Sequence, residues 1–271
     1  MFPTLTPKHP EEVMVIRELE GQDIITCSVP FSRFGLLRIG GRGTIIRMAS
    51  GSSAVFSPVA LTEHVKGIIT ALNSPIKFII APDLEHHIFL GDWKAAFPDA
   101  KVIGPEGLQE KREKNVKTKD TSKVDFVFTP KNRHNPDTFP EFNAEFETQY
   151  LPSHPNREIV VFHKPTKTLL QADLFFNLPA TQQYEKERGG ATQGILTKLF
   201  LPVWSTEGDA IWQKRFTWYL LAGRNRDEWK ESLRRIDRWD FERVIPCHGD
   251  VIDTGGKLVF RKLFEWFLNG G

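Results

Sequence analysis

The hydrophobic pattern begins with short β-type runs separated by turns that contain glycine. These runs predict a meander of antiparallel strands between residues 13 and 59, with strands at 23–29, 36–39, 44–48 and 54–57. The period then changes, because residues 62–73 place apolar side chains on one helical face behind Thr62, a residue that caps helices well. We therefore predict strands first and a helix after them.

The middle of the chain alternates between strands and helices, and its end is helical. Residues 76–81 form a nearly continuous apolar run, which is typical of a buried strand. Further strands are predicted at 101–104, 124–128, 142–150, 159–163, 168–172 and 243–246, and helices at 88–97, 107–114, 206–221, 226–238 and 257–268. Residues 110–123 are rich in lysine and arginine but also hold acids, so we expect a solvated loop there.

Composition narrows the class of protein. Of 271 residues, 40% are apolar and 26% are charged, which is enough for a large core. The 36 basic and 34 acidic side chains leave a net charge of +2, so we expect no nucleic-acid partner. No apolar run is long enough to span a membrane and no basic-then-apolar leader is visible at the start, so we expect a cytoplasmic protein without a membrane partner.

Candidate chemistry lies directly after the predicted strands, where α/β folds expose functional groups. Two cysteines cannot build a thiolate zinc cluster, so any metal must be held by imidazole and carboxylate groups. One histidine after a strand is commonly a turn or core residue, but several in the same position indicate a site. The candidates in such positions are Glu85, His86, His87, His154, Asp173 and His248.

The order of these residues resembles the metallo-β-lactamase fold superfamily. That superfamily has a first motif H-x-H-x-D-H after a buried strand, then a lone His, a lone Asp after a strand, and a final His followed by Gly. Here the lone His is His154 in L-P-S-H, the Asp is Asp173 in L-L-Q-A-D-L, and the final His is His248 in C-H-G-D. The resemblance implies a four-layer αββα sandwich, and we expect residues 1–271 to form one domain.

The first motif departs from that pattern. Aligned on its last His, A-P-D-L-E-H-H places Pro82 and Leu84 where the first two histidines stand and His86 where the Asp stands, so that His87 alone matches. The segment A-P-D-L-E-H-H-I-F-L-G-D-W resembles more specifically the DUF4336 group, in which a His-His pair precedes G-D-W.

The resemblance implies one divalent metal ion, zinc or iron. Pro82 and Leu84 cannot coordinate, so the first site of a two-metal centre has lost two of its side-chain ligands. The second site corresponds to His86, His87, Asp173 and His248, all of them competent ligands. His154 is then a further ligand or a partner of one.

Two acids next to these ligands are candidate catalytic groups. Asp83 and Glu85 can serve as general base or proton shuttle, or can orient a ligand imidazole. The alternative is that they cap the helix that follows.

The remaining histidines and the aromatic segments carry weaker signals. His9, His64, His134 and His163 fall in positions that do not suggest ligands, and Cys247 is expected to be a buried apolar residue. Residues 199–218 are rich in Phe and Trp, and we expect them to form part of the core, a pocket wall or a dimer surface. A homodimer is therefore one of the open alternatives.

From these features we predict a metal-dependent hydrolase. A metal-bound hydroxide would attack a small-molecule substrate that is an ester, lactone, thioester or amide. One alternative is an inactive binding or scaffold protein of the same fold, and another is a mononuclear-iron lyase or oxidoreductase.

Overall fold

A computed structural model describes residues 6–19, 23–114, 122–135 and 138–269, and its strands form two facing sheets and one small hairpin. The first sheet contains β1 (Val15–Leu19), β2 (Ile24–Val29), β5 (Gly41–Arg47), β6 (Ser53–Phe56), β7 (Ile76–Ile80), β8 (Lys101–Pro105) and β9 (Phe126–Phe128), in the order β1-β2-β5-β6-β7-β8-β9. Its first four strands are antiparallel neighbours, and β6 to β9 run parallel.

The second sheet has four strands, and the hairpin projects from the first sheet. The second sheet contains β10 (Phe146–Leu151), β11 (Glu158–His163), β12 (Thr168–Gln171) and β13 (Arg243–Pro246) in chain order. β10, β11 and β12 are antiparallel neighbours, whereas β12 and β13 are parallel. The hairpin consists of β3 (Ser32–Arg33) and β4 (Leu37–Arg38) and lies between β2 and β5 in the chain.

The described residues also form ten α-helices. They are α1 (Pro10–Val13), α2 (Glu63–Leu72), α3 (Leu90–Ala96), α4 (Leu108–Glu113), α5 (Pro140–Glu145), α6 (Ile195–Phe200), α7 (Ile211–Arg215), α8 (Arg226–Ile236), α9 (Gly256–Leu263) and α10 (Glu265–Leu268). A π-helical stretch, Phe216–Leu221, continues α7. None of the described helices combines the length and apolarity needed to cross a membrane.

Three buried apolar layers confirm the predicted four-layer αββα sandwich. One packs the first sheet against α2, α3 and α4, and includes Ile79 and Trp93. The second fills the space between the sheets, and Phe78 and Tyr150 meet there. The third packs the second sheet against α8, α9 and α10 around Trp229. Burial of these large apolar side chains is the main favourable term in folding.

Most predicted elements are present. The strand predicted at 36–39 is only the two-residue β4 of the separate hairpin, and three further elements have changed bounds or type. The strand predicted at 142–150 was wrong in its first half, because Pro140 fixes the first turn of α5 and the strand begins only at Phe146. The helix predicted at 206–221 begins at Ile211, and the one at 257–268 is divided at Phe264. Residues 115–121 of the predicted basic loop lie outside the described residues.

The two sheets are joined by hydrogen bonds at the edge where the candidate residues lie. The loop after β7 pairs with the start of β11 and with the loop before it, since Ile159 N donates to Pro82 O at 2.6 Å and Leu84 N donates to Asn156 O at 2.9 Å. Because β12 and β13 run parallel, the loops that follow them also leave the sheet at one edge. Segments distant in sequence thus meet at this edge.

Substitution of Gly249, the residue directly after His248, tests how closely the backbone segments pack at this edge. Its φ is +96°, and a Cβ there would lie 2.2 Å from Asn177 O. Gly51 is a matched control, because its φ is +85° and a Cβ there would meet nothing within 4 Å. We expect Gly51→Ala to lower the free energy of unfolding by about 1–3 kcal/mol through φ alone. Gly249→Ala should cost roughly 1–3 kcal/mol more, because the backbone overlap must be relieved.

Urea unfolding of the two variants measures this difference. Equal losses would mean that the loop after β13 shifts freely, and would contradict the tight edge described here.

Candidate metal centre

Four strand ends bring the candidate side chains to one edge of the sandwich. The loop after β7 carries Asp83 and His86, the loop after β10 carries His154, the loop after β12 carries Asp173, and the loop after β13 carries His248. His154, Asp173 and His248 are at most 6% exposed, and Asp83 is fully buried. The site is therefore a buried polar cluster.

The Asp83 carboxylate holds His86 in one orientation. Asp83 Oδ1 accepts the backbone N–H groups of Glu85 and His86 at 2.7 and 2.8 Å, and both carboxylate oxygens lie 2.8–2.9 Å from His86 Nδ1. A carboxylate only accepts hydrogen bonds, so Nδ1 is the donor and Nε2 faces the site. Burial by itself lowers the pKa of His86, but the charge and hydrogen bonds of Asp83, with the charges of Asp173 and Glu158, raise it to about 9.

A backbone carbonyl fixes His248 in the same way. His248 Nδ1 lies 2.6 Å from Gly40 O, which can only accept, so Nδ1 again carries the proton and Nε2 points inward. The Phe176 ring packs edge-on against the imidazole at a centroid distance of 4.9 Å. The ring therefore has little freedom to turn.

Two imidazole nitrogens and one carboxylate oxygen converge at the centre. His86 Nε2 lies 3.1 Å from His248 Nε2, and Asp173 Oδ1 lies 3.2 Å from His248 Nε2. Ligand atoms of these three residues all lie within 4.8 Å of one another. Among the described residues, Asp173 Oδ1 has no hydrogen bond of acceptable geometry although it is buried. Inward lone pairs this close need a positive charge between them, either a proton or a metal ion.

A metal ion fits this arrangement. Zinc binds imidazole nitrogen and carboxylate oxygen at about 2.0–2.2 Å, which leaves neighbouring ligand atoms roughly 3 Å apart. Each imidazole has the outer hydrogen-bond partner that metal-bound histidines have. Burial raises the pKa of Glu158 well above its usual range, and repulsion from the nearby carboxylates of Asp173 and Asp83 raises it further. A cation at the centre would relieve the repulsion among these carboxyl groups.

Asp173 is anchored from the loop between β10 and β11. Asn156 Nδ2 donates to Asp173 Oδ2 at 2.5 Å, which leaves Oδ1 for the centre. The Glu158 carboxylate accepts the backbone N–H groups of Ala172 and Asp173 at 2.8 and 2.9 Å. Burial alone would raise the pKa of Asp173, but His248 and His86 lower it below its ordinary value, so this group is ionised.

The same loop gives His154 a different role from that of the other two imidazoles. Asn156 N donates to His154 Nδ1 at 3.2 Å, so Nδ1 is an acceptor and a neutral ring carries its proton on Nε2. His154 Nε2 has no hydrogen bond within the described part of the chain and lies 3.7 Å from Glu158 Oε2. In this tautomer His154 cannot donate a lone pair to a metal through Nε2, and it is not one of the three converging residues.

His87 is also placed outside the trio. Its Nδ1 lies 3.5 Å from Arg112 Nη1, and its carbonyl oxygen accepts from the same nitrogen at 2.9 Å. Burial lowers the pKa of His87, and the charges of Arg112 and Lys111 lower it further, to about 4. A position beside an arginine is unfavourable for binding a cation.

The two acids predicted to be catalytic lie in different surroundings. Asp83 is engaged by His86 and by two backbone N–H groups, which makes it a positioning group that also caps the turn. Glu85 is about half exposed, and its carboxylate lies 2.7 Å from Lys111 Nζ. Glu85 is thus the more accessible of the two.

A pocket of about 300 Å³ opens beside the centre. His86, His87 and His248 line it, and Glu85, Lys111 and Arg33 are among its other polar lining residues. Its walls are mainly apolar and are formed by Val29, Phe31, Pro58, Val59, Ile88 and Phe89. A small molecule with an apolar body therefore fits next to the two imidazoles.

Sequence reasoning did not identify several residues that support this centre. Asn156 and Glu158 lie two and four positions after His154, the first in the same loop and the second at the start of β11, and that spacing was the available signal. Arg42 is 1% exposed and donates to Pro246 O and Gly249 O at 2.7 Å each, which clamps the loop that carries His248. Its signal was a lone arginine between two glycines in a buried strand.

The sequence matches the family model described as "Domain of unknown function (DUF4336)" over residues 35–184, more than half of the chain. A comparison with curated proteins gave no match. The DIM-1 metallo-β-lactamase exposed to ceftazidime is similar in structure, with a TM-score of 0.58, 11% identity, and coverage of 98% of this chain and 99% of that one. A metallo-β-lactamase from Pontibacter korlensis has a TM-score of 0.56, 13% identity, and coverage of 94% and 99%.

A longer protein shares the fold as well. The flavodiiron core of Flv1 from Synechocystis sp. PCC6803 has a TM-score of 0.59 and 14% identity, and the match covers 94% of this chain and 60% of that one. At such identities these similarities establish the metallo-β-lactamase fold alone.

The contact between Asp83 and His86 predicts how metal affinity responds to one substitution. Asp83→Asn keeps an oxygen for the two backbone N–H groups but removes the charge that makes His86 a better donor. We expect metal affinity to fall about 10–100-fold, the usual effect of losing such a partner. Competition with a chromophoric chelator measures it, and Asp92→Asn, an exposed position in α3, is the control. An affinity within about threefold of the parent would contradict this role.

Proposed function

The chain belongs to the DUF4336 family, and from that premise we propose that it is a metal-dependent hydrolase that cleaves a small ester, lactone, thioester or amide. The observation that carries the proposal is the convergence of His86 Nε2, His248 Nε2 and Asp173 Oδ1, with both imidazoles held by outer hydrogen bonds. The similarity in fold to metallo-β-lactamases supports a site at this edge of the sandwich.

These three side chains would hold the ion. Three protein ligands leave an open position, where a divalent ion supplies Lewis acidity toward a carbonyl oxygen and lowers the pKa of water. Asp83 and Gly40 O keep the two imidazoles turned inward, and Asn156 keeps Asp173 turned with them. Because these contacts exist before a substrate enters, the ligands need no rearrangement.

The pocket residues would position the substrate and exclude water. Its apolar walls suit the acyl or alkyl part of a small molecule, and about 300 Å³ limits its size. Glu85 lies at the pocket with its carboxylate partly open to solvent, so it is the group we assign to proton transfer between the pocket and bulk water. Lys111, bound to Glu85 and to Leu84 O, holds that carboxylate in place.

An iron-dependent lyase or oxidoreductase is the second candidate. Two histidines and one carboxylate with open positions form the donor set of many non-haem iron enzymes. The flavodiiron core that shares this fold is in keeping with iron as an alternative to zinc. The metal that the purified protein carries, and its redox behaviour, distinguish the two candidates.

Metal content of single variants tests the ligand assignment. We expect about one equivalent of zinc or iron in the parent protein by plasma mass spectrometry, and loss of most of it in His86→Ala, Asp173→Asn and His248→Ala. His87→Ala is the matched control, because His87 is the neighbour of His86 and its ring contacts Arg112. It should keep its metal.

Activity assays separate the candidate functions. Zinc with hydrolysis of a panel of esters, lactones, thioesters and amides supports the hydrolase. Redox-active iron without hydrolysis favours the second candidate. A folded parent protein that takes up no metal would contradict both candidate enzymes and would favour a scaffold protein. Metal that is lost in His87→Ala but retained in His86→Ala would overturn the ligand assignment.

A further inference from the structure

A surface patch of large apolar side chains lies where the β3–β4 hairpin meets α6. Phe34 and Leu36 at the hairpin turn are 72% and 55% exposed, and Ile195 and Leu199 on α6 are 86% and 67% exposed. Leu196 adds a fifth apolar side chain, 40% exposed. We name these five residues the hairpin–helix patch. Side chains of this size are seldom so exposed as a group unless they contact something.

The hairpin and the helix form one surface. Thr197 Oγ1 accepts from Arg38 N at 3.1 Å and donates to Leu36 O at 3.3 Å. The Arg38 guanidinium donates to Gly190 O at 2.6 Å and lies over the Tyr184 ring, which fastens the neighbouring loop to the hairpin. Residues 34–36 and 195–199, far apart in sequence, are therefore adjacent.

The charges around this patch are mainly positive. In the segments 31–40 and 185–200, five basic side chains stand against two acidic ones, a local net charge of +3 in a chain whose total is +2. The basic residues are Arg33, Arg38, Lys186, Arg188 and Lys198, and the acidic ones are Glu185 and Glu187. Glu185 is also paired with Arg17. The partner must tolerate protruding apolar groups and carry negative charge.

We propose that the hairpin–helix patch docks on an anionic lipid bilayer. A bilayer interface accepts protruding Phe, Leu and Ile side chains without a shape-complementary groove, and its anionic headgroups attract the surrounding lysines and arginines. A second copy of the chain fits less well, because a two-fold interface would place the same basic side chains opposite one another.

This surface is not visible in the sequence, where no membrane partner was expected. Each contributing segment is too short to resemble a membrane-binding helix, and the patch arises only when the hairpin packs against α6. The proposal does not depend on the metal centre.

Vesicle sedimentation of the full chain tests it. We expect binding to phosphatidylcholine vesicles that contain phosphatidylglycerol, weaker binding to phosphatidylcholine alone, and release as NaCl rises. The double variant Phe34→Ser, Ile195→Ser should bind at least about tenfold more weakly, because each side chain contributes one buried apolar group. Leu258→Ser is the control, since Leu258 is 71% exposed in α9 outside the patch.

Two single substitutions that each remove a positive charge give an independent readout. Lys198→Gln and Arg188→Gln should each weaken binding to the anionic vesicles about fivefold and leave binding to neutral vesicles unchanged. Circular dichroism checks that the variants are folded. The proposal fails if the parent does not bind anionic vesicles or if the double variant binds as well as the parent. It also fails if the patch only supports a dimer that the double variant abolishes.

Discussion

The orientation of two imidazole rings is the constraint on which the candidate site depends. His86 and His248 each have two nitrogens, and a ring that donates from the wrong one cannot direct a lone pair at the centre. A carboxylate and a carbonyl, neither of which can donate, leave one choice for each ring. The rest of the edge supports these two orientations. Asp83 is buried against His86, and Gly40, directly before β5 of the first sheet, accepts a hydrogen bond from His248 through its carbonyl.

Burying several carboxyl groups together is costly, and the fold compensates for it with backbone and amide donors. Asp83 and Glu158 each accept two backbone N–H groups, and Asp173 accepts from Asn156. A lysine or arginine in place of these backbone and amide donors would neutralise the carboxylates and fill the centre. Amide donors stabilise the carboxyl groups without placing a lysine or arginine at the centre, an arrangement that suits a cation better than a closed ion-pair network would.

The sequence was sufficient for most strand ends, because periodicity and turn residues record local structure, and the fold class was implied by the resemblance of its motifs to the metallo-β-lactamase superfamily. It was not sufficient to separate His86 from His87. Both follow the same strand, and which ring turns inward is decided by Asp83 on one side and Arg112, 25 residues after His87, on the other. The tautomer of His154 depends likewise on a backbone N–H two residues later. Such contacts are set by tertiary packing, which a single sequence does not display.

The prediction of a strand at 142–150 was wrong for a local reason, since the alternation of apolar and polar residues outweighed the helix-start signal of Pro140.

One element, the β3–β4 hairpin, takes part in both the centre and the surface. Its tip carries Phe34 and Leu36, Arg33 lines the pocket, and its base is closed by Phe31 O, which accepts from Ile39 N and Gly40 N at 3.1 and 3.0 Å. The carbonyl of the same Gly40 is the acceptor that orients His248. A contact at the tip can therefore reach the imidazole only by moving this closed base. Arg38 of the hairpin is also bound to Thr197 and to Gly190 O, which are outside it, so these contacts hold the base in place if the tip docks as proposed. Docking of the tip, as proposed, would then place the pocket beside the bilayer without turning the His248 ring.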